Sequence, residues 1–159
     1  WAVSVANTNG FEEKAFGSLD FFGTKRFGAH PTAQLSILKK KDGPRYKLLR
    51  RSPVVDLNSA QGHKEYFTLK QPLRIKKGQI VGITMPTWAA ILASNKKIAT
   101  SNSWSASRNP KKCGGTTDQQ RRHNAVTARP QTKIHSVRKF GCTYSGRLLY
   151  WAYYVPGLH

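Results

Sequence analysis

Apolar residues come in short runs set off by glycine, proline and charged positions. Trp1 to Ala6 (WAVSVA) alternates and predicts an opening strand, closed by the turn signal Asn7-Thr8-Asn9-Gly10. Phe11, Phe16, Phe21, Phe22 and Phe27 then follow among small residues. Only Leu19 to Phe22 suggests a strand there, and the first ~30 residues read as an arm or extended segment. Leu35, Ile37 and Leu38 lead into Lys39-Lys40-Lys41-Asp42-Gly43-Pro44, and Tyr46, Leu48 and Leu49 come after it. Asp-Gly between two apolar runs predicts a hairpin with Lys39, Lys40 and Lys41 at its solvated tip. Arg50-Arg51-Ser52-Pro53 ends the second strand, Val54, Val55 and Leu57 suggest a short edge segment, and Asn58 to Lys64 reads as a polar loop.

The pattern then centres on Phe67 to Trp88. Tyr66, Phe67 and Leu69 predict a short strand, because the run is aromatic and too short for a helix. Gln79 to Met85 is β-branched and apolar on both faces, which predicts a strand buried inside a sheet and ended by Pro86. Together they predict a strand pair at the centre of the domain, joined by a basic turn at Lys76-Lys77-Gly78. Ala89 to Ala93 suits a strand or one helical turn, Asn95 to Ala99 a turn, and Asn109 to Thr132 a long loop. Ile134 to Thr143 reads as a strand delivering Cys142, and Arg147 to Val155 (RLLYWAYYV) as the last strand, ended by Pro156-Gly157. No amphipathic helix emerges and no repeat recurs at solenoid periods. The expectation is all-β: one domain over residues 1–159, built as an antiparallel β-sandwich of jelly-roll type.

Charge changes this picture most. The chain carries 27 Lys and Arg against 7 Asp and Glu, a net charge of +20. Such a surface concentrates polyanions around itself, whether nucleic acid, anionic lipid, or acidic polysaccharide and other acidic polymers of a cell wall or extracellular matrix. An evenly solvated basic surface is the plain alternative. No run reaches the ~18 apolar residues of a membrane-spanning helix. The chain opens on Trp1 rather than Met, as a processed product or a trimmed piece of a longer protein would. Two cysteines, Cys113 and Cys142, either pair across a long loop or remain free thiols. The oxidising, extracellular reading favours the bridge, and without a CxxC pair or Cys/His spacing a zinc site is not expected.

Several segments carry a resemblance: RSPVVDL, FTLKQPLRIKKGQIVGITMPTWA, SWSASR and FGCTYSGRLLYWAYYVP. Between about Arg50 and Pro156 these are similar to a β-sandwich domain of secreted bacterial proteins of unknown function. There, a basic KKG turn feeds a buried VGI-type strand, followed by a Pro-Thr-Trp turn and two paired cysteines. The resemblance implies secretion, the sandwich and a Cys113–Cys142 disulfide, and implies no catalytic residue. Its segments are less basic than these, so the charge is a feature of this chain.

Catalytic chemistry is sparsely supplied. Glu12, Glu13, Asp20, Asp42, Asp56, Glu65 and Asp118 form no evident acid–base dyad, and calcium would need more clustered carboxylates. GxSxG, P-loop and dinucleotide fingerprints are absent. His30, His63, His123 and His135 supply residue types for a basic nuclease, and His63 with Glu65 is the local pair that a strand face would join. Binding chemistry is better supplied. The basic clusters fall at turns: Lys39-Lys40-Lys41 with Arg45 and Lys47, Arg50-Arg51, Lys76-Lys77, Lys96-Lys97, Lys111-Lys112, Arg121-Arg122 and Arg138-Lys139. In a continuous last strand Tyr150 and Tyr154 share one face while Trp151 and Tyr153 share the other. One pair then packs the core and the other is a platform for stacking on sugars or bases. The candidate ligand residues are therefore Lys39, Lys40, Lys41, Arg50, Arg51, Lys76, Lys77, Arg121, Arg122, Tyr150, Trp151, Tyr153 and Tyr154. No cofactor is expected. The expected function is a secreted, non-enzymatic protein that binds an anionic polymer or packs with its own copies. A coat or filament subunit and a small basic nuclease or cell-wall hydrolase are the alternatives.

Overall fold

The computed structural model describes residues 1–4, 32–60, 62–85, 94–95, 102–113 and 130–156. The Phe11–Phe27 segment, Trp88, Lys96-Lys97 and Arg121-Arg122 lie outside them. Among the described residues the chain is all-β, with antiparallel pairing throughout and one disulfide, Cys113–Cys142. The helical elements there are single 3-10 turns at Asn58–Ala60 and Pro110–Lys112. None is long and apolar enough to cross a membrane.

The strands are β1 (Ala2–Ser4), β2 (Thr32–Lys40), β3 (Arg45–Arg51), β4 (Val55–Asp56), β5 (Lys64–Tyr66) and β6 (Gln79–Thr84). They continue as β7 (Ser94–Asn95), β8 (Ser103–Ala106), β9 (Val137–Lys139), β10 (Cys142–Ser145), β11 (Arg147–Leu148) and β12 (Tyr150–Trp151). The centre is β2, not the expected Phe67–Trp88 stretch. It pairs with β6 along one edge, from Gln34↔Thr84 to Lys39↔Gln79, and with β3 and then β4 along the other. Ala33 to Leu38 are all buried, Gln34 and Ser36 included. The Ser36 hydroxyl is matched to that of Thr84 at 2.8 Å, so polar alternation here does not mean a wet face. Where Pro53 interrupts the β3–β4 edge, Ser52 takes over the ladder. Its N–H donates to the Leu35 carbonyl, and its Oγ accepts from the Leu35 N–H at 2.9 Å.

The predicted hairpin forms as expected. Lys40 faces Tyr46, Lys39 faces Lys47 and Leu38 faces Leu48, with a bulge beyond Leu38. Gly43, at φ +52°, supplies the left-handed residue of its turn. The predicted central pair does not form. β5 joins the three-stranded sheet β12-β1-β5, whereas β6 belongs to the five-stranded sheet of β2. The long 67–78 connection carries the chain from one sheet to the other, with Leu69 and Leu73 packed into the core. β6 is also not buried on both faces: Ile80 is 42% exposed.

The two sheets share one core. Trp1 and Val3 of the small sheet pack with Ala33, Leu35, Leu57 and Ala60, flanked by Phe67, Val81, Ile83 and Tyr150. Trp1 and Phe67 exchange backbone hydrogen bonds at 2.7 and 2.9 Å, and their rings lie 4.9 Å apart. Two expected strands turn out broken. Ile134 to Thr143 divides into β9 and β10 at Phe140-Gly141. Arg147 to Val155 divides into β11, which pairs with β7, and β12, which pairs with β1. At the break, Leu149 gives its carbonyl to the Ser4 N–H at 2.8 Å.

Candidate functional site

The hairpin and the Lys76-Lys77 turn reach the same end of the five-stranded sheet. Because Gln79 pairs with Lys39, β6 begins where β2 ends, and its leading turn sits beside the hairpin tip. That turn is closed by Gln79 N–H to Lys76 O at 3.0 Å and Lys76 N–H to Gln79 Oε1 at 3.1 Å, with Gly78 at φ +79°. From the other side β9 pairs with β3, setting Lys139 opposite Arg45 and Arg138 opposite Tyr46. Tyr46 is steadied edge-on by Phe140, at 4.9 Å between ring centroids.

The result is a continuous basic rim. Residues paired across strands share a face, so Lys39, Lys47, Arg45 and Lys139 project from one side. Lys40 and Arg138, both neighbours of Tyr46, project from the other. Lys39↔Lys47 and Arg45↔Lys139 are like-charge pairs directly opposite one another, an arrangement that costs stability. Among the described residues only Asp42 offers a carboxylate at this end. It forms an ion pair with Arg45, and the Arg45 guanidinium holds its carboxyl below the usual aspartate range. Asp56 lies opposite Thr32 at the far end of β2, and Glu65 lies on β5.

Of the expected ligand residues, Lys39, Lys40, Lys41, Lys76 and Lys77 come together here and are all exposed. Arg50 and Arg51 do not join them. They face Ile37 and Ser36 in mid-sheet, and Arg50 donates to the Arg74 carbonyl at 3.3 Å. Arg45, Lys47, Arg138 and Lys139 complete the rim. Part of it was visible beforehand, since a hairpin centred on Gly43 must set Lys39 against Lys47. The Arg45↔Lys139 register spans too much chain to be read locally.

The last aromatic segment divides as its alternation suggested, but over a shorter strand. Tyr150 faces the core, where its hydroxyl donates to the Val81 carbonyl at 3.1 Å and burial pushes its pKa up. Trp151 lies on the outer face of the small sheet. Tyr66 and Trp151 flank Ala2, each directly opposite it in register. The Lys64 ammonium sits between their rings, 4.6 Å from the Tyr66 centroid and 4.3 Å from that of Trp151. Tyr153 stacks against Tyr66 at 6.5 Å. Hydrogen bonding to Tyr66 raises the Lys64 pKa, and the same bond lowers that of the Tyr66 phenol. Tyr154, beyond the strand, is exposed and so does not share the dry face of Tyr150. Sequence reasoning missed Lys64, placed in a loop, and Tyr66, placed in an apolar run although it is 61% exposed. The signal was the period of two that sets Lys64 and Tyr66 on the face opposite Glu65.

This cluster and the rim are separate surfaces. The small sheet packs over Ala33 and Leu35, whereas the rim begins at Lys39. The gap of four strand residues spans about 13 Å. His63 Nε2 does meet Glu65 Oε2, at 3.1 Å and in the open. No metal-binding group of His, Cys, Asp or Glu forms among the described residues. No family model, curated protein or solved structure matches the chain. The resemblance to secreted bacterial domains therefore rests on its sequence segments.

Proposed function

We propose that this chain is a secreted, non-enzymatic protein that binds an anionic polymer through the rim formed by Lys39, Lys40, Lys41, Arg45, Lys47, Lys76, Lys77, Arg138 and Lys139. The observation that carries the proposal is the register of Lys39 on Lys47 and Arg45 on Lys139. Evenly scattered charge would not set two like-charge pairs side by side on one face, at a cost in stability, beside a third basic turn. Asp42 offsets the charge of Arg45, and a polyanion supplies the compensation for Lys39, Lys47 and Lys139, in line with the rule that local conflicts mark functional positions. The Cys113–Cys142 disulfide and the resemblance to secreted domains support an extracellular setting.

The test is a titration of fluorescent heparin and of duplex DNA at 50 and 200 mM salt. Neutralising about six phosphates would release their counterions and weaken DNA binding roughly a thousandfold across that range. An affinity that does not move with salt would sink the proposal.

A further inference from the structure

The chain has six tyrosines, and all lie within the described residues. Three are tied to other partners. Tyr150 donates to the Val81 carbonyl, Tyr144 donates to the Cys113 carbonyl and stacks on Trp104, and Tyr46 meets Phe140 edge-on. Tyr66 and Tyr153 instead meet each other. Their rings are inclined by only 21°, with centroids 6.5 Å apart, and each residue is 61% exposed.

The two come from distant parts of the chain, β5 and the segment just beyond β12, and the small sheet brings them to one surface. Ala2 lies opposite Tyr66 on one side and opposite Trp151 on the other, so both rings share its face. Tyr153 stands two residues past Trp151, and the single methyl of Ala2 leaves room for large side chains to lean over β1. Lys64, opposite Ser4, shares the same face. Its ammonium lies 4.6 Å from the Tyr66 centroid and 4.3 Å from that of Trp151, and hydrogen-bonds to the phenol oxygens of Tyr66 and Tyr153. Lys64 first, and Tyr153 after it, hydrogen-bond to the Tyr66 phenol and hold its pKa below the usual tyrosine value. The two hydroxyls therefore converge on one ammonium, which also draws together the ring carbons beside them.

We infer that Tyr66 and Tyr153 are a site of oxidative cross-linking, joined through the ring carbons ortho to their hydroxyls as an intramolecular dityrosine. The co-reactant is hydrogen peroxide acting through a haem peroxidase. Each phenol gives up one electron and its hydroxyl proton and becomes a phenoxyl radical. The two radicals form one carbon–carbon bond, and the hydrogen on each coupled carbon passes to an oxygen, restoring both phenols. Two ring hydrogens are lost in all. The peroxide O–O bond breaks as it takes up the two electrons and two protons and becomes two waters. The Lys64 ammonium favours release of the Tyr66 proton, which is half of that residue's oxidation. Exposed side chains reorient on the picosecond-to-nanosecond scale, so the rings close the remaining gap within their ordinary motion. The product ties β5 to the segment after β12 as a second covalent link beside Cys113–Cys142, and an oxidising setting suits both. This chemistry stands apart from the basic rim.

The experiment treats the whole disulfide-bonded protein with a haem peroxidase and limiting hydrogen peroxide, isolates the monomer and maps its peptides by mass spectrometry. The expected product is a monomer lighter by two hydrogens, with dityrosine fluorescence and a linked pair of peptides carrying Tyr66 and Tyr153. Tyr66→Phe and Tyr153→Phe should each abolish that product, whereas Tyr154→Phe, at an exposed neighbour, should leave it unchanged. Lys64→Gln should move the pH profile of the cross-linking rate to higher pH, because the Tyr66 phenol loses the ammonium that eases its ionisation. Equal thermal midpoints before treatment show that the variants keep the fold. Dityrosine found only in dimers, a monomer linked through other tyrosines, or an undiminished yield in Tyr66→Phe overturns the inference. Heparin and DNA binding read the rim alone, so either proposal can fail without the other.

Discussion

Replacing Lys39 by Glu separates the two roles of the rim, because it should stabilise the fold while weakening binding. Lys39 is exposed, lies opposite Lys47 and has Gln79 on its other side. In water, two unit charges about 5.5 Å apart interact by roughly 0.75 kcal/mol, and physiological salt about halves that. Turning a repulsion of ~0.4 kcal/mol into an equal attraction gives about 0.8 kcal/mol, within the range of cross-strand pairs. Lys39→Glu should therefore raise the urea midpoint with an unchanged m-value. A net gain of about 1 kcal/mol is the upper expectation, fading as salt is added. The same protein should bind duplex DNA more weakly, with the slope of log K against log salt shallower by about one unit for the lost phosphate contact. Lys47→Glu should behave alike, and the Lys39→Glu/Lys47→Glu double variant should lose the stabilisation, since it restores a like-charge pair. A Lys39→Glu protein that is less stable in low salt, or that binds with the original slope, would refute the claim that this register trades stability for binding.

Three further outcomes follow from the packing. Tyr150 is held protonated by burial, its pKa raised from 10.0. Above about pH 10 the unfolded chain releases that proton while the folded one keeps it, so stability present at lower pH is lost as pH rises towards the folded pKa. Urea melts between pH 8 and 11 should show a shallower alkaline decline in Tyr150→Phe, and an identical decline would refute the assignment. Replacing both Cys113 and Cys142 by Ser opens a loop with a sequence separation of 29, which the chain-entropy model puts at about 3.6 kcal/mol; a loss below ~1 kcal/mol by denaturant titration would contradict it. Gly141→Ala drives a methyl into Pro110 and the Arg108 carbonyl. It should cost about 1 to 3 kcal/mol as overpacking does, and a neutral effect would mean that the contact between Gly141 and Pro110 opens readily.

Local features of this fold were legible in the sequence. Asp42-Gly43 between apolar runs marked the β2–β3 hairpin, Pro53 marked its end, and the two cysteines pair. What escaped depends on contacts between distant residues. Gln79 to Thr84 has the composition of a buried strand, yet the exposure of Ile80 depends on which distant residues pack against it. The break at Leu149 is invisible in a run of strand-forming residues, because it arises where the chain leaves β7 to join β1. The candidate site divides in the same way. Lys39 opposite Lys47 follows from hairpin arithmetic, whereas Arg45 opposite Lys139 requires the fold.

The most direct test of the rim is a lysine-acetylation footprint read by mass spectrometry, with and without bound heparin or duplex DNA at low salt. Lys39, Lys40, Lys41, Lys47, Lys76, Lys77 and Lys139 should be protected together, with Lys64, on the separate aromatic surface, unchanged. Equal labelling of the rim lysines in the presence and absence of polymer, under conditions where the polymer is bound, would contradict the account.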